Sequence, residues 1–382
     1  MQKEMQKRVE VQFRKELEEL RKKSLEVLRQ SQTPTGAIKA SLSGAHYSAC
    51  WLRDGFWVAT ALQKEEPERA TKFYHWVLDV FKRYEWKLDK MIVMPERVMK
   101  NEVLHPRFDE EGNEFQEPWG WHQLDAIGVV LYGISQLEKK GIRVIRDYKD
   151  RELLQKTVLY LKNAWKYHNK DNSVWEEEEE VHAASVAAMI AGIRGMEDIK
   201  LVEKDEMTDE MWEFLQMHRR IGEVYIDHGK KEFGVDLSTM LIWSLSLVKT
   251  KDFLPTVQHI EKHLLGDKGG VKRYLNDQYY NVNGEEGQWT LGALWLSQYY
   301  AALYKETGDL NHKNKSLWYL WKISKATTEE GFFPEQILAE GVEDRNDVVF
   351  LPKINRYGNA VTTPLAWSHA MYLLALDELS LT

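Results

Sequence analysis

The chain has 382 residues, 43% hydrophobic and 29% charged, which is a globular composition with enough apolar mass for a large core. Acidic residues outnumber basic ones, 60 to 52, and the net charge of −8 argues against a nucleic-acid groove or an anionic membrane surface as the main partner. The single cysteine, Cys50, excludes an intrachain disulfide and a CxxC zinc site.

The first segment, "MQKEMQKRVEVQFRKELEEL", is charged throughout and lacks the apolar centre of a signal peptide. No stretch approaches the roughly eighteen apolar residues of a membrane span. The expected location is therefore cytoplasmic.

Helical patterns follow one another along the whole chain. The apolar positions Val9, Val11, Phe13, Leu17, Leu20, Leu25 and Leu28 predict a helix over 4–30. Further helices are predicted over 54–63, 67–85, 121–138, 151–168, 179–194, 206–226, 237–249, 253–265, 288–305, 312–326 and 364–380. Pro67 and Pro364 suit a first helical position, and Asp236 and Asp252 suit N-caps. Strand signals are short and lie in connections, as in "KMIVMPERVM" (90–99) and "EVLHPRFDEEGNEF" (102–115). Length alone suggests two or three domains, but no Pro/Gly/Ser-rich linker divides the chain, so 1–382 reads as one all-α domain. Twelve helices fit an (α/α)6 toroid, two concentric rings of six with a funnel at one end. A helical solenoid is the rival, and the lack of an internal sequence period speaks against it.

Glycine, tryptophan and charge gather between the helices, in loops where binding and catalysis usually sit. In "SVWEEEEEVHAAS" (173–185) five glutamates, Glu176 to Glu180, stand directly behind Trp175. Glu178 to Glu180 are explained as carboxylates at the start of the predicted helix 179–194, where the helix dipole favours them. Glu176 and Glu177 are candidates for more. Glycosidic bond cleavage needs a protonated carboxyl to serve the leaving oxygen and an ionised one to activate water or attack the sugar. An aromatic wall and neighbouring negative charge raise a carboxyl pKa, which suits Glu176 to the acid role. Glu335, between Phe333–Pro334 and Gln336, is a charge among apolar neighbours and must be used or paired. Arg53–Asp54 behind Trp51 is either a structural ion pair or a donor–acceptor set for sugar hydroxyls. Arg273 sits in a comparable loop, "KRYLNDQY".

Other chemistries score poorly. There is no GxGxxG before a helix, no HExxH, and only a faint echo of a phosphate loop in "GDKGGVK" (266–272). His182 lies four positions after Glu178, a possible metal pair, but no third ligand suggests itself. No cofactor and no metal are therefore expected, although the acidic loops could hold calcium.

Taken together, the loops resemble glycoside hydrolase family 15, the glucoamylase and glucodextranase group, and the related helical domain of phosphorylase kinase subunits. The resemblance runs from "TGAIKAS" near residue 35 to "TTPLAWSHAMYLLAL" (362–376). It implies an (α/α)6 barrel and an inverting exo-acting α-glucosidase. Glu176 would be the general acid and Glu335 the general base, with carboxyls roughly 6.5–9.5 Å apart to admit water. It implies that Tyr47, Trp51, Arg53 and Asp54 surround the terminal glucose and that Trp119, in W-G-x-x-Q-x-D with Gln123 and Asp125, stacks on substrate. Glu177, Arg273, Asp277, Tyr279 and Trp289 complete the implied binding set. The run of five glutamates is longer than the family's usual pair, which leaves Glu177 as an alternative acid. The chain is too short for the N-terminal β-sandwich or starch-binding domain of larger members, so a small soluble oligosaccharide is the expected substrate. A non-catalytic carbohydrate-sensing module is the alternative, because a fold alone does not prove hydrolysis. A helical scaffold whose acidic surface recruits partners is a third reading. Oligomeric state is left open.

Overall fold

The computed structural model describes residues 2–43, 49–115, 120–220, 223–228, 234–279, 286–337 and 362–380, with side chains from Phe13 onward except at Arg220. Among these residues there are thirteen α-helices and three two-residue strand pairs.

Outer and inner helices alternate along the chain. The outer set is α1 (Gln2–Ser31), α3 (Pro67–Arg83), α6 (Tyr148–Tyr167), α8 (Glu206–Met217), α10 (Thr250–Leu264) and α12 (Leu310–Ser324). The inner set is α2 (Leu52–Leu62), α5 (Leu124–Lys139), α7 (Ala183–Asp198), α9 (Met240–Ser244), α11 (Thr290–Thr307) and α13 (Ala366–Glu378). Outer helices are amphipathic: α3 buries Ala70, Phe73, Tyr74, Trp76, Val77, Leu78, Val80 and Phe81 at three- and four-residue intervals and leaves its charges outside. Inner helices are buried almost all round, as in the near-continuous burial from Ala183 to Met196 of α7. The chain of contacts closes on itself. Helix α13 packs on α11, α2 and α1, α2 on α5, α5 on α7, and α7 on α9. Gly292 of α11 completes the circuit against Leu237, just ahead of α9. A closed ring is a toroid, and the solenoid is set aside.

The closest inner contact is α5 with α7. It depends on two glycines: a Cβ on Gly128 would meet the Ala188 carbonyl carbon at 2.4 Å, and one on Gly192 would meet the Gly128 oxygen at 2.5 Å. Much of the tryptophan content packs this centre. Trp57, Trp295 and Trp367, from three inner helices, meet at ring separations of 5.5 to 6.1 Å.

Several expectations need correction. Residues 90–99 are not extended: α4 (Glu85–Val93) and a 3-10 turn at Pro95–Arg97 occupy them, adding a thirteenth helix. Helix α8 stops at Met217, and β3 (Arg219–Arg220) pairs with β4 (Val224–Tyr225) where helix was expected to 226. Helix α7 begins at Ala183, so the glutamate run lies ahead of it. Asp236 does cap a turn, accepting from the Ser238 amide, but Asp252 lies inside α10, whose N-cap is Lys249. Pro364 precedes Leu365, the N-cap of α13, rather than opening that helix.

Candidate active site

A cavity of about 760 Å³, open at its mouth, lies where the inner helices begin. Trp51, Arg53 and Asp54 reach it from the start of α2, Trp175, Glu176 and Glu177 from the loop before α7, and Arg273 and Tyr279 from the loop after α10. Trp289 precedes α11, while Glu335, Leu365 and Trp367 stand at the entry to α13. Every inner helix that touches the cavity does so with its N-terminal end, the positive end of its dipole, which favours carboxylates there.

Short strand pairs set the walls. β1 (Cys50–Trp51) pairs with β2 (Arg107–Phe108) and puts Arg107 opposite Trp51. β5 (Gln288–Trp289) pairs with β6 (Gln336–Ile337) and puts Trp289 opposite Gln336. This second pair, with the Glu335 amide on Thr362 O at 2.9 Å and the Thr290 hydroxyl on Pro334 O at 2.6 Å, fixes Glu335 at 2% exposure in the wall.

The glutamate run is an excursion closed at its base, where Asp171 and Glu180 exchange both backbone hydrogen bonds at 2.9 and 3.0 Å. Within it the five carboxylates part company, and their mutual repulsion is answered by different partners. Glu179 pairs with Lys100, Glu180 with Lys170 at 3.2 Å, and Glu178 approaches His228 at 3.8 Å. Glu177 binds Arg273 at 2.6 Å and the Tyr274 hydroxyl. Glu176 sits in the left-handed backbone region at φ 63, a conformation that costs a side-chain-bearing residue about 1–3 kcal/mol and clusters at functional sites. Four groups point at its carboxylate: Trp51 Nε1 at 2.7 Å, Gln123 Nε2 at 2.9 Å, Arg107 Nη1 at 2.8 Å and Arg53 Nη2 at 3.4 Å.

Behind this front stands a second row. Arg53 Nη1 donates to Asp125 at 2.7 Å and to the Gln123 oxygen at 3.0 Å. Arg273 clamps Asp277 through two hydrogen bonds, at 2.7 and 2.6 Å, and lies 4.9 to 5.4 Å from the ring centres of Tyr279, Trp289, Trp175 and Tyr274. Trp175 is oriented by its Nε1 donating to Asp236 at 2.9 Å. Burial pushes the Asp54 carboxyl up to about 7, with Arg53 opposing the rise and the charge of Glu176 adding to it.

Of the residues singled out from sequence, Trp51, Arg53, Asp54, Glu176, Glu177, Arg273, Tyr279, Trp289 and Glu335 therefore line one cavity. Gln123, Asp125 and Asp277 do not line it. They are almost wholly buried and bond Glu176, Arg53 and Arg273, respectively, behind the cavity wall. Tyr47 and Trp119 lie outside the described residues. Sequence reasoning missed Arg107, wholly buried and bound to Glu176, and Asp236, read only as a helix cap. The signal for Arg107 was an arginine in "HPRF", an apolar strand-like stretch where a guanidinium needs a buried anion.

The sequence profile of glycosyl hydrolases family 15 matches residues 17–339, and the chain belongs to that family of glycoside hydrolases. It is 28% identical to an isomaltose glucohydrolase of Kribbella flavida over 96% of this chain and 94% of that protein. The solved structure of a glycosidase variant in complex with glucose shares the fold with a TM-score of 0.78 at 24% identity, covering 96% of this chain and 98% of the other. A bacterial glucoamylase in complex with acarbose superposes with a TM-score of 0.67 at 18% identity over 94% of this chain and 55% of its own. Shorter matches, at 25% identity over 32% of this chain, reach a probable regulatory subunit of phosphorylase b kinase from Caenorhabditis elegans.

Proposed function

We propose that this family 15 member is an inverting exo-acting α-glucosidase for small soluble oligosaccharides, with Glu176 as general acid and Glu335 as general base. The observation that carries the reading is the convergence of these two carboxyls, far apart in sequence, on one cavity with Arg53, Asp54 and Arg273. In an inverting reaction Glu335 takes a proton from water as that water attacks the anomeric carbon, while Glu176 protonates the departing glycosidic oxygen. The aromatic faces of Trp51, Trp175 and Trp289 suit the apolar face of a sugar ring, and Arg53, Asp54 and Arg273 suit its hydroxyls.

Glu177, held by Arg273 and the Tyr274 hydroxyl, is the alternative acid. The similarity to an isomaltose glucohydrolase along nearly the whole of both chains favours a disaccharide-sized α-glucoside.

The test is glucose release from a panel of α-linked di- and oligosaccharides, with the anomer of the first-formed glucose read by NMR. Wild-type enzyme should release β-glucose. Glu176→Gln and Glu335→Gln should each lose on the order of 10²–10⁴-fold in kcat with the melting temperature retained. Full hydrolysis by both variants, or α-glucose as first product, would refute the assignment. Sugar binding without release by the wild type would point to the sensing module.

A further inference from the structure

The loop that carries Glu176 and Glu177 ends on a cluster that hydrolysis does not use. His182, the N-cap of α7, Asp227 and His228 are buried together, at 4%, 0% and 6% exposure. His182 Nδ1 lies 2.9 Å from Asp227 Oδ2, and His228 Nε2 lies 3.6 Å from the same oxygen. One ligand atom from each residue falls within a 4.8 Å sphere of mutual distances. On the open side the Glu178 carboxylate stands 3.8 Å from His228 Nε2. From these positions we infer a binding site for one divalent cation of the zinc class, ligated by His182, Asp227 and His228 with Glu178 or water as the fourth ligand.

Two imidazoles and a carboxylate, with a fourth position open, are a donor set zinc accepts. In a tetrahedral site with bonds of about 2.0–2.2 Å the ligand atoms stand roughly 3.4 Å apart, so the separations of 2.9, 3.6 and 3.8 Å need shifts of about half an ångström or less. The outer shell is also in place. His182 Nε2 bonds the Glu178 carbonyl oxygen at 3.0 Å, the arrangement that fixes a ligating imidazole with its other nitrogen toward a metal. The Ala183 amide holds Asp227 Oδ1 at 3.0 Å, leaving Oδ2 toward the two rings. An ion taking the place of the His182 Nδ1 proton would join the end of the glutamate loop to the segment after β4. On the glutamate loop its ligand His182 lies six residues after Glu176.

A plain His182–Asp227 ion pair is the competing account, and the experiment separates the two. The whole protein is stripped with a chelator, dialysed and titrated with Zn²⁺ by calorimetry, with bound metal counted by mass spectrometry. Co²⁺ is substituted to read its visible ligand-field bands. The expected result is one equivalent per chain, tetrahedral cobalt bands, and a melting temperature raised by zinc. His228→Gln leaves the His182–Asp227 contact untouched and should weaken zinc binding at least tenfold, while His182→Gln should do the same from the other side. A folded wild type that takes up no stoichiometric zinc, or a His228→Gln variant that binds it equally well, overturns the site.

Discussion

Removing Asp125 is the sharpest test of how the cavity is built. Its carboxylate is wholly buried and receives Arg53 Nη1 at 2.7 Å, and Arg53 is itself 97% shielded, with a side-chain exposure of 3%. Deleting one member of a buried pair costs about 3–5 kcal/mol because the other charge is stranded out of water. Arg53 would still have the Gln123 oxygen at 3.0 Å and Glu176 at 3.4 Å, so the cost of Asp125→Ala should fall near the lower end, about 3 kcal/mol. Urea unfolding followed by circular dichroism gives the number. Arg53→Met should also destabilise, but the double variant should be less unstable than the sum of the two by about 1–3 kcal/mol, since it leaves no stranded charge. Hydrolysis by Asp125→Ala should fall about 10²-fold even where the protein remains folded, because Arg53 loses the anchor that aims it into the cavity. A loss of stability under about 1 kcal/mol, or strict additivity, would refute the view that Asp125 is the counter-charge of Arg53.

Four further outcomes are expected. Burial holds Asp54 and Asp171 up to about 7, so the stability they confer is complete below about pH 4 and is lost as pH rises toward 7; Asp54→Asn should flatten that decline in urea midpoint, and an unchanged slope would count against its burial. Buried His105 and His122, lowered to about 3 and about 4, act in the opposite sense: the share of stability they confer is lost as pH drops below about 6.5 and offsets the gain from Asp54 and Asp171, so His122→Gln should raise the urea midpoint at pH 5 relative to that at pH 7. Gly128→Ala would set a methyl against the backbone of α7 and should cost about 3 kcal/mol or more, with loss of hydrolysis; a stable, active variant would show that α5 and α7 are farther apart than described. Arg107→Met removes a wholly buried donor from Glu176 and should change the pH dependence of kcat more than KM, which a merely structural residue would not do.

The alternation of helices was legible because burial writes itself into apolar spacing: Phe73, Trp76, Val77 and Val80 mark one face, and the near-continuous apolar run of α7 marks an inner helix. Helix α4 was hidden because Met91, Ile92 and Val93 look like strand residues until tertiary packing decides. The cavity was legible through residues whose types are costly without a use, such as Glu335 among phenylalanines. The sorting of that set into front and back rows was not, because Asp54 and Asp125 have the same chemistry and differ only in which side of Arg53 they occupy. The third and fourth members of the His182 cluster were invisible for the same reason, since Asp227 and His228 arrive through a hairpin read as helix.

The orientation of the inner helices divides the molecule into an end that is spoken for and an end that is spare. At the cavity end even the glycines are hemmed in: a Cβ on Gly120 would strike Asn172 at 2.3 Å, and one on Gly266 would strike Gln288 at 2.0 Å. At the opposite end, Gly141 after α5 and Gly308 after α11 would meet nothing within 4 Å. Affinity tags, fused partners or new chain termini introduced at those two turns should leave the cavity face undisturbed, and the same freedom gives evolution a place to append modules without rebuilding that face.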